Sequence, residues 1–287
     1  MDPQPAPPHM SFTALTGTSE RVKVVDIGAN PIDGTPPYVG MLRAGAADIV
    51  GFEPNPQALA KLNELKGPNE TYLPYAVGDG KRHTLNFCQA AGMTSLLKPN
   101  PNVLNLFHGF PDWGKVLGTE EVDTVRLDDI EETAKVEFIK IDIQGGELMA
   151  LSNALTRLRD TLIIHTEVEF LPMYVGQPLF SEVEIFLRQQ GFMFHRFFPI
   201  VSRVIRPLIS ENSIYSGLSQ IFWADAIFMR DITRLDLLTD HQLLVMAMIL
   251  HDCYQSYDVV LHLLNEYDRR SGTQIGGAYL SGLQAKK

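Results

Sequence analysis

Cysteine is nearly absent from this chain: Cys88 and Cys253 are the only two among 287 residues. They lie far apart with no metal-ligand spacing. That excludes a disulfide framework and a cysteine zinc site, and it fits a reducing, cytoplasmic setting. Dense Lys/Arg runs are missing too. Against 34 acidic residues stand 24 basic ones, a formal charge of −10, so no nucleic-acid partner is expected. A small molecule, neutral or cationic, is the expected partner instead. The longest apolar run, "LLVMAMIL" at 243–250, falls far short of the ~20 residues that span a bilayer, so no membrane partner is expected. The opening "MDPQPAPPHMSFTALTGTSE" has neither the basic start nor the apolar centre of a signal peptide. Its prolines predict a flexible arm over residues 1–20. No solenoid-type repeat recurs.

What is present is a real core, with 45% apolar residues, and an alternation of strand and helix patterns. "VKVVDI" reads as a buried strand, "PPYVGMLRAG" as a helix start, "DIVGFEP" as a second strand and "NPQALAKLNELKG" as a helix capped by Asn55. "ETYLPYAVGD" reads as a third strand. This predicts an α/β fold, a mostly parallel Rossmann-like sheet with helices on both faces. "RHTLNFCQA" and "EVDTVRLDDI" read as further strands, separated by a long loop over 91–118 with Phe107, Phe110 and Trp113. "KVEFIKID" ends near Asp142 before a helix, "TLIIHTEVEF" is a fifth core strand, and "FMFHRFF" and "QIFWADAIFMR" close the sheet. The predicted division is an arm at 1–20, the sheet domain at 21–230, a helical extension at 231–270 and a flexible tail at 271–287. The extension is read as a core appendage or a homodimer surface.

Ligands of doubly wound sheets bind beyond the carboxyl ends of the strands. There the chain places Asp26 with Gly28 and Asn30, then Glu53, then Asp79. The G-x-G-x-x-G fingerprint that brings a pyrophosphate close is absent. Each acidic turn alone is ordinary loop chemistry. Together, in order at successive strand ends, they suit a nucleoside without phosphates. Glu53 would accept from ribose hydroxyls and Asp79 from an adenine amino group. S-adenosyl-L-methionine (SAM) is such a ligand, and its sulfonium is cationic.

The motifs "VVDIGAN", "GFEPNP", "AVGD", "TSL", "VRLDDI", "KIDIQGGE" and "HTEVEF" resemble those of the FkbM-type SAM-dependent methyltransferases over roughly residues 22 to 230. The resemblance implies a class I methyltransferase fold. It implies a SAM pocket at Asp26, Gly28, Ala29 and Asn30, at Glu53, Pro54 and Asn55, and at Val77, Gly78 and Asp79. Asp142, Gln144 and Gly145 would lie near the methyl group. "PIDGTPP" intervenes where the family has a glycine soon after the G-A-N turn. Such enzymes methylate hydroxyls of sugars or other metabolites, which implies a small-molecule or glycan acceptor.

Methyl transfer to a hydroxyl needs a base near the acceptor oxygen. Asp142 closes the fourth strand. His165, Glu167 and Glu169 alternate on the fifth and share one face. Asp142, Glu167 and His165 are the catalytic candidates, with His165 also readable as a hydrogen-bonded core residue. Glu147 suits a helix start, and His108 is another candidate base. Asp142 and Glu167 with waters would satisfy Mg²⁺, but nothing in the spacing requires a metal. Phe107, Phe110 and Trp113 would stack on a sugar ring or pack the loop down. Two other readings stand beside this one: a nicotinamide-dependent oxidoreductase, and a non-catalytic SAM-binding scaffold.

Overall fold

The computed structural model describes residues 10–30 and 34–284. Residues 1–9 of the expected arm, the 31–33 insertion and residues 285–287 of the expected tail lie outside them. The chain divides into two compact units: Lys23–Gly34 with Ile49–Asp231, and Met1–Val22 with Thr35–Asp48 and Ile232–Lys287.

The strands are β1 (Val22–Ile27), β2 (Ala47–Phe52), β3 (Glu70–Leu73), β4 (Ala76–Val77), β5 (Arg82–Cys88), β6 (Val116–Val125), β7 (Phe138–Ile141), β8 (Ile163–Glu169), β9 (Phe192–Arg203) and β10 (Gln220–Arg230). Seven of them form one sheet in the order β3-β2-β1-β7-β8-β10-β9. β2–β3, β1–β7 and β7–β8 pair in parallel, and β10 runs antiparallel to β8 and β9. Within the sheet this is a doubly wound order through its fifth strand, closed by an antiparallel hairpin. The order reverses between β1 and β7, so the crevice lies beyond their carboxyl ends. Every residue of β8 is buried, and Val25, Ile27, Phe52, Ile139, Ile141 and Phe228 belong to one core. A parallel strand covered on both faces is buried along its length, and β8 therefore carries His165, Thr166, Glu167 and Glu169 out of water with its apolar residues.

Two expectations about the larger unit need correction. The third strand does not run from 70 to 79. β3 ends at Leu73, and Ala76–Val77 joins a separate three-stranded sheet, β4-β6-β5. Pro74 stands between them, and proline has no N–H to give a ladder. The 91–118 loop holds short helical turns at Ala91–Met93, Pro101–Leu104 and Phe110–Trp113, and β6 begins within it. Phe107 and Phe110 are buried. Phe107 stacks on Phe222 with ring centroids 4.3 Å apart, and Trp113 stacks on Tyr215 at 5.7 Å. These aromatics pack the loop down.

The second unit is helical. Thr239 caps the helix Asp240–Tyr254 reciprocally with Gln242. Leu243 through His251 are all buried, the signature of a helix enclosed on every side. The helix Tyr257–Ser271 follows after Gln255 in a left-handed conformation. Met246, Met248 and Leu250 are therefore core residues of the unit rather than a surface for a second copy. Two segments expected to be loose are also helical: Phe12–Thr16 and Ile275–Gln284. Their anchor is His251, which pairs with the Tyr279 hydroxyl at 2.8 Å and the Met10 carbonyl at 2.9 Å. The Phe12 N–H donates to Asp252 at 2.9 Å.

Candidate active site

At the end of β1 the chain turns through Gly28 with φ +82°. A Cβ there would lie 2.1 Å from the Asp142 carbonyl oxygen. Glycine is thus required by the neighbouring β7 turn as well as by the backbone conformation. The Gly28 and Ala29 N–H groups both donate to the Phe52 carbonyl. Asp26 is register partner to Lys140, whose Nζ sits 3.3 Å from Asp26 Oδ1 and donates to the Gly28 carbonyl at 3.3 Å. Burial opposes the Lys140 charge, but Asp26 and Asp142 outweigh it and push the ammonium up to about 12. After β2, Glu53 is buried and accepts from the Asn55 N–H at 2.7 Å. Burial pushes its carboxyl up, and that hydrogen bond opposes the shift. The Asn55 side chain caps the next helix by accepting from Gln57 and Ala58 N–H.

Beyond β7 the turn Asp142–Gly146 is held from several sides. Gln144 has φ +56°. Its amide Nε2 donates to Asp142 Oδ1 and to Glu167 Oε2, each at 2.9 Å. Its Oε1 accepts from the Tyr174 hydroxyl at 3.0 Å, and its carbonyl accepts from Ser95 at 2.6 Å. Glu147 accepts from the Ile143 and Gly145 N–H groups at 2.8 and 3.2 Å. Burial pushes its carboxyl up to about 7. Burial, with the charges of Asp142 and Glu169, holds Glu167 well above the carboxylate range. Asp142, Glu147 and Glu167 each bring a carboxylate oxygen within 4.8 Å of the others.

A cavity of about 730 Å³ opens over these strand ends, within the roughly 300–1,000 Å³ of small-molecule sites. One wall is Gly28, Asn30, Glu53, Asn55, Asp142 and Gln144. The opposite wall comes from the β5–β6 hairpin, where Leu85 lies opposite Glu120 and His83 opposite Val122; Leu85, Phe87, Glu120 and Val122 line the space. Acidic residues Glu53, Glu120 and Asp142 border it, the carboxylates of Glu121 and Asp123 being engaged by Thr84 and Arg82 on the other face of the strand pair, and no Lys, Arg or His lines it among the described residues. Such a space favours a cation and disfavours a phosphate. A nicotinamide dinucleotide would find no basic side chain there for its pyrophosphate. A sulfonium-bearing nucleoside fits.

The methyltransferase FkbM domain model matches residues 26–194. The chain belongs to the FkbM methyltransferase family. Its methyl donor is SAM. A curated relative, the 2-O-methyltransferase NoeI of Sinorhizobium fredii, is 27% identical over 181 residues, covering 59% of this chain and 72% of that one. Among solved structures, a precorrin-6y C5,15-methyltransferase from Geobacter metallireducens aligns with TM-score 0.36 and 14% identity over 76% of this chain and 85% of that one. A methyltransferase structure from Thermoplasma acidophilum aligns with TM-score 0.37 and 7% identity over 74% and 70%. Likenesses this distant say nothing about chemistry.

Against the FkbM motifs, the structure brings Gly28, Asn30, Glu53, Pro54, Asn55, Val77, Asp142 and Gln144 to one cavity wall and leaves Asp26, Ala29, Gly78 and Asp79 off it. Asp26 is turned to Lys140. Asp79 is drawn away because the chain leaves the main sheet at Pro74. Its carboxylate meets His83 Nε2 at 2.7 Å and Lys81 Nζ at 3.3 Å, and the His83 hydrogen bond holds it well below the usual range. His165 does not reach the cavity either; it is buried and lies 3.1 Å from Asp225. Glu167 sits behind Gln144 rather than on the wall. His108 binds the Leu208 carbonyl. The wall from β5 and β6 was missed, although Leu85 and Phe87 alternate in the sequence and thereby signal one shared face.

Proposed function

We propose that this FkbM methyltransferase O-methylates a hydroxyl of a sugar or related polyol that carries no phosphate, with Asp142 as the base. Bound SAM supplies a methyl group already activated on a sulfonium. Glu53 and the Gly28–Asn30 turn would hold its adenosine part. Asp142 stands on the cavity wall with Oδ1 fixed by Gln144, so its carboxylate is oriented to take the proton of an acceptor hydroxyl, a contribution of about 10²–10⁴-fold. Burial and the neighbouring carboxylates hold Glu167 well above the usual carboxylate range, which reduces the negative charge beside it. The observation that carries the reading is the cavity bordered by carboxylates without a basic residue among those described: a phosphorylated acceptor would be repelled, and a neutral or amino sugar would not. NoeI is named a 2-O-methyltransferase, which is consistent with hydroxyl chemistry.

The test is incubation with isotope-labelled SAM and matched sets of methyl glycosides, amino sugars and sugar phosphates, read by mass spectrometry. Label is expected on an oxygen of the first two sets. Label on nitrogen or carbon, or a preference for the phosphorylated set, overturns the reading.

A further inference from the structure

Tyr174 is fully buried, in the small apolar core that also holds Met93, Phe107, Phe110 and Phe222. Its main chain is fastened on several sides. The Asn100 N–H donates to the Met173 carbonyl at 2.7 Å, Asn100 Nδ2 to the Pro172 carbonyl at 3.0 Å, and the Val175 N–H to the Lys98 carbonyl at 2.8 Å. The Tyr174 N–H donates to Gln177 Oε1 at 3.1 Å. The ring fills the core, and a hydroxyl adds nothing to that task. The hydroxyl instead leaves the core to meet Gln144 Oε1 at 3.0 Å, with the Met93 carbonyl as a second acceptor at 3.3 Å.

That contact decides which way round the Gln144 amide sits. The two ends of a primary amide match in shape, but one only accepts and the other only donates. The last torsion of a glutamine is broad and nearly two-fold, so the side chain does not choose between them. Ser95 holds the Gln144 carbonyl, which fixes the main chain and leaves that torsion free. Nε2 donates to Asp142 Oδ1 and Glu167 Oε2, and Oε1 then needs a donor of its own. Tyr174 supplies it. Turned round, the amide would set its oxygen against the Asp142 carboxylate. Burial, and after it the charge of Glu167, holds the phenol well above its ordinary value, so it stays protonated and able to donate through the neutral range. We infer that Tyr174 is a positioning residue for methyl transfer: its hydroxyl orients the Gln144 amide, and through that amide the Asp142 carboxylate. The role rests on Asp142 as the base proposed above. Tyr174 does not line the cavity, so it acts through Gln144 and not on the acceptor.

The test is a double-mutant cycle on the full chain, with labelled SAM and a glycoside that takes the label. Tyr174→Phe keeps the ring and removes only the hydroxyl. Its kcat is expected to fall about tenfold, with the acceptor KM and the SAM dissociation constant unchanged; SAM titration also reports that each variant is folded. In a Gln144→Ala background the same substitution should lower kcat no further, because no amide remains to be oriented. A hydroxyl that merely braces the Met93 turn would act in both backgrounds, and its loss would multiply with that of Gln144→Ala. Multiplying losses, an unchanged kcat in Tyr174→Phe, or a loss confined to KM overturns the inference. Asp142→Asn separates this role from the reading beneath it. Full turnover there overturns both, whereas a large loss there beside multiplying losses in the cycle overturns the role of Tyr174 alone.

Discussion

Gln144 Nε2 donates to Glu167 Oε2 at 2.9 Å, and the same amide holds Asp142 Oδ1 at the same distance. One amide thus bridges the carboxylate on the cavity wall and the buried one behind it. Gln144→Ala removes both donors and leaves buried acceptors unsatisfied, a cost of about 1–3 kcal/mol. Turnover is expected to fall about 10- to 100-fold with little change in SAM affinity. Steady-state kinetics beside calorimetric SAM titration separates these effects; unchanged kcat removes Gln144 from the mechanism.

Asp142→Asn keeps the shape of the wall and removes the base. Turnover is expected to drop about 10²–10⁴-fold, with the SAM dissociation constant changed far less. Retention of full turnover would assign proton removal elsewhere.

Gly28→Ala places a methyl 2.1 Å from the Asp142 carbonyl at φ +82°. Gly45→Ala is the control, since Gly45 has φ +70° with nothing within 4 Å of its added Cβ. The control should cost about 1–2 kcal/mol for conformation alone. Gly28→Ala should cost clearly more, because the β1 and β7 turns must part. Urea unfolding of the two variants gives the comparison, and equal losses would remove the close approach as the reason for glycine.

Stability should fall as pH rises toward neutrality. Glu147 is pushed up to about 7, and Glu167 and Glu169 lie well above the usual range. In the folded state these groups keep protons that the unfolded chain releases near about 4.3. Their contribution is fully present below that value and is lost as pH climbs through the folded values. Glu266, held down to about 2 by Arg269 and Arg270, acts oppositely: its contribution is present above the unfolded value and lost only in strong acid. Tm is therefore expected to be higher near about pH 5.5 than near about pH 8. Glu167→Gln should flatten the slope in a melting series, and a slope of the opposite sign would contradict the burial argument.

Asp142, Glu147 and Glu167 are spaced closely enough for a divalent cation. Gln144 already donates to two of them, and Glu147 is engaged by the Ile143 and Gly145 N–H groups. Mg²⁺ or EDTA should leave Tm and turnover of the unmodified protein unchanged, whereas Gln144→Ala should gain a Tm that rises with Mg²⁺. Turnover that depends on Mg²⁺ without the substitution would show that the ion displaces the amide.

Much of the sheet was legible because apolar runs and turn residues are local signals. "VVDIGAN", "GFEPNP" and "KIDIQGGE" mark where strands end, and they place Glu53 and Asp142 at the crevice. The third strand misled because Pro74 stands in an otherwise continuous pattern, and the choice to leave the sheet depended on a partner, β6, more than 40 residues away in sequence. Helix at both termini was equally hidden, since short segments such as Phe12–Thr16 gain their stability from packing rather than propensity.

Residue order alone determined the strand periods, the capped helices and the carboxylates at the strand ends, since each follows from neighbours within a few positions. Only the tertiary structure decided which carboxylate meets the cavity, which is sealed against Lys140 or His83, and which is buried behind Gln144 with its proton affinity raised. Those outcomes depend on register and burial between segments distant in the chain, and a side chain's direction and proton affinity are set by what packs against it.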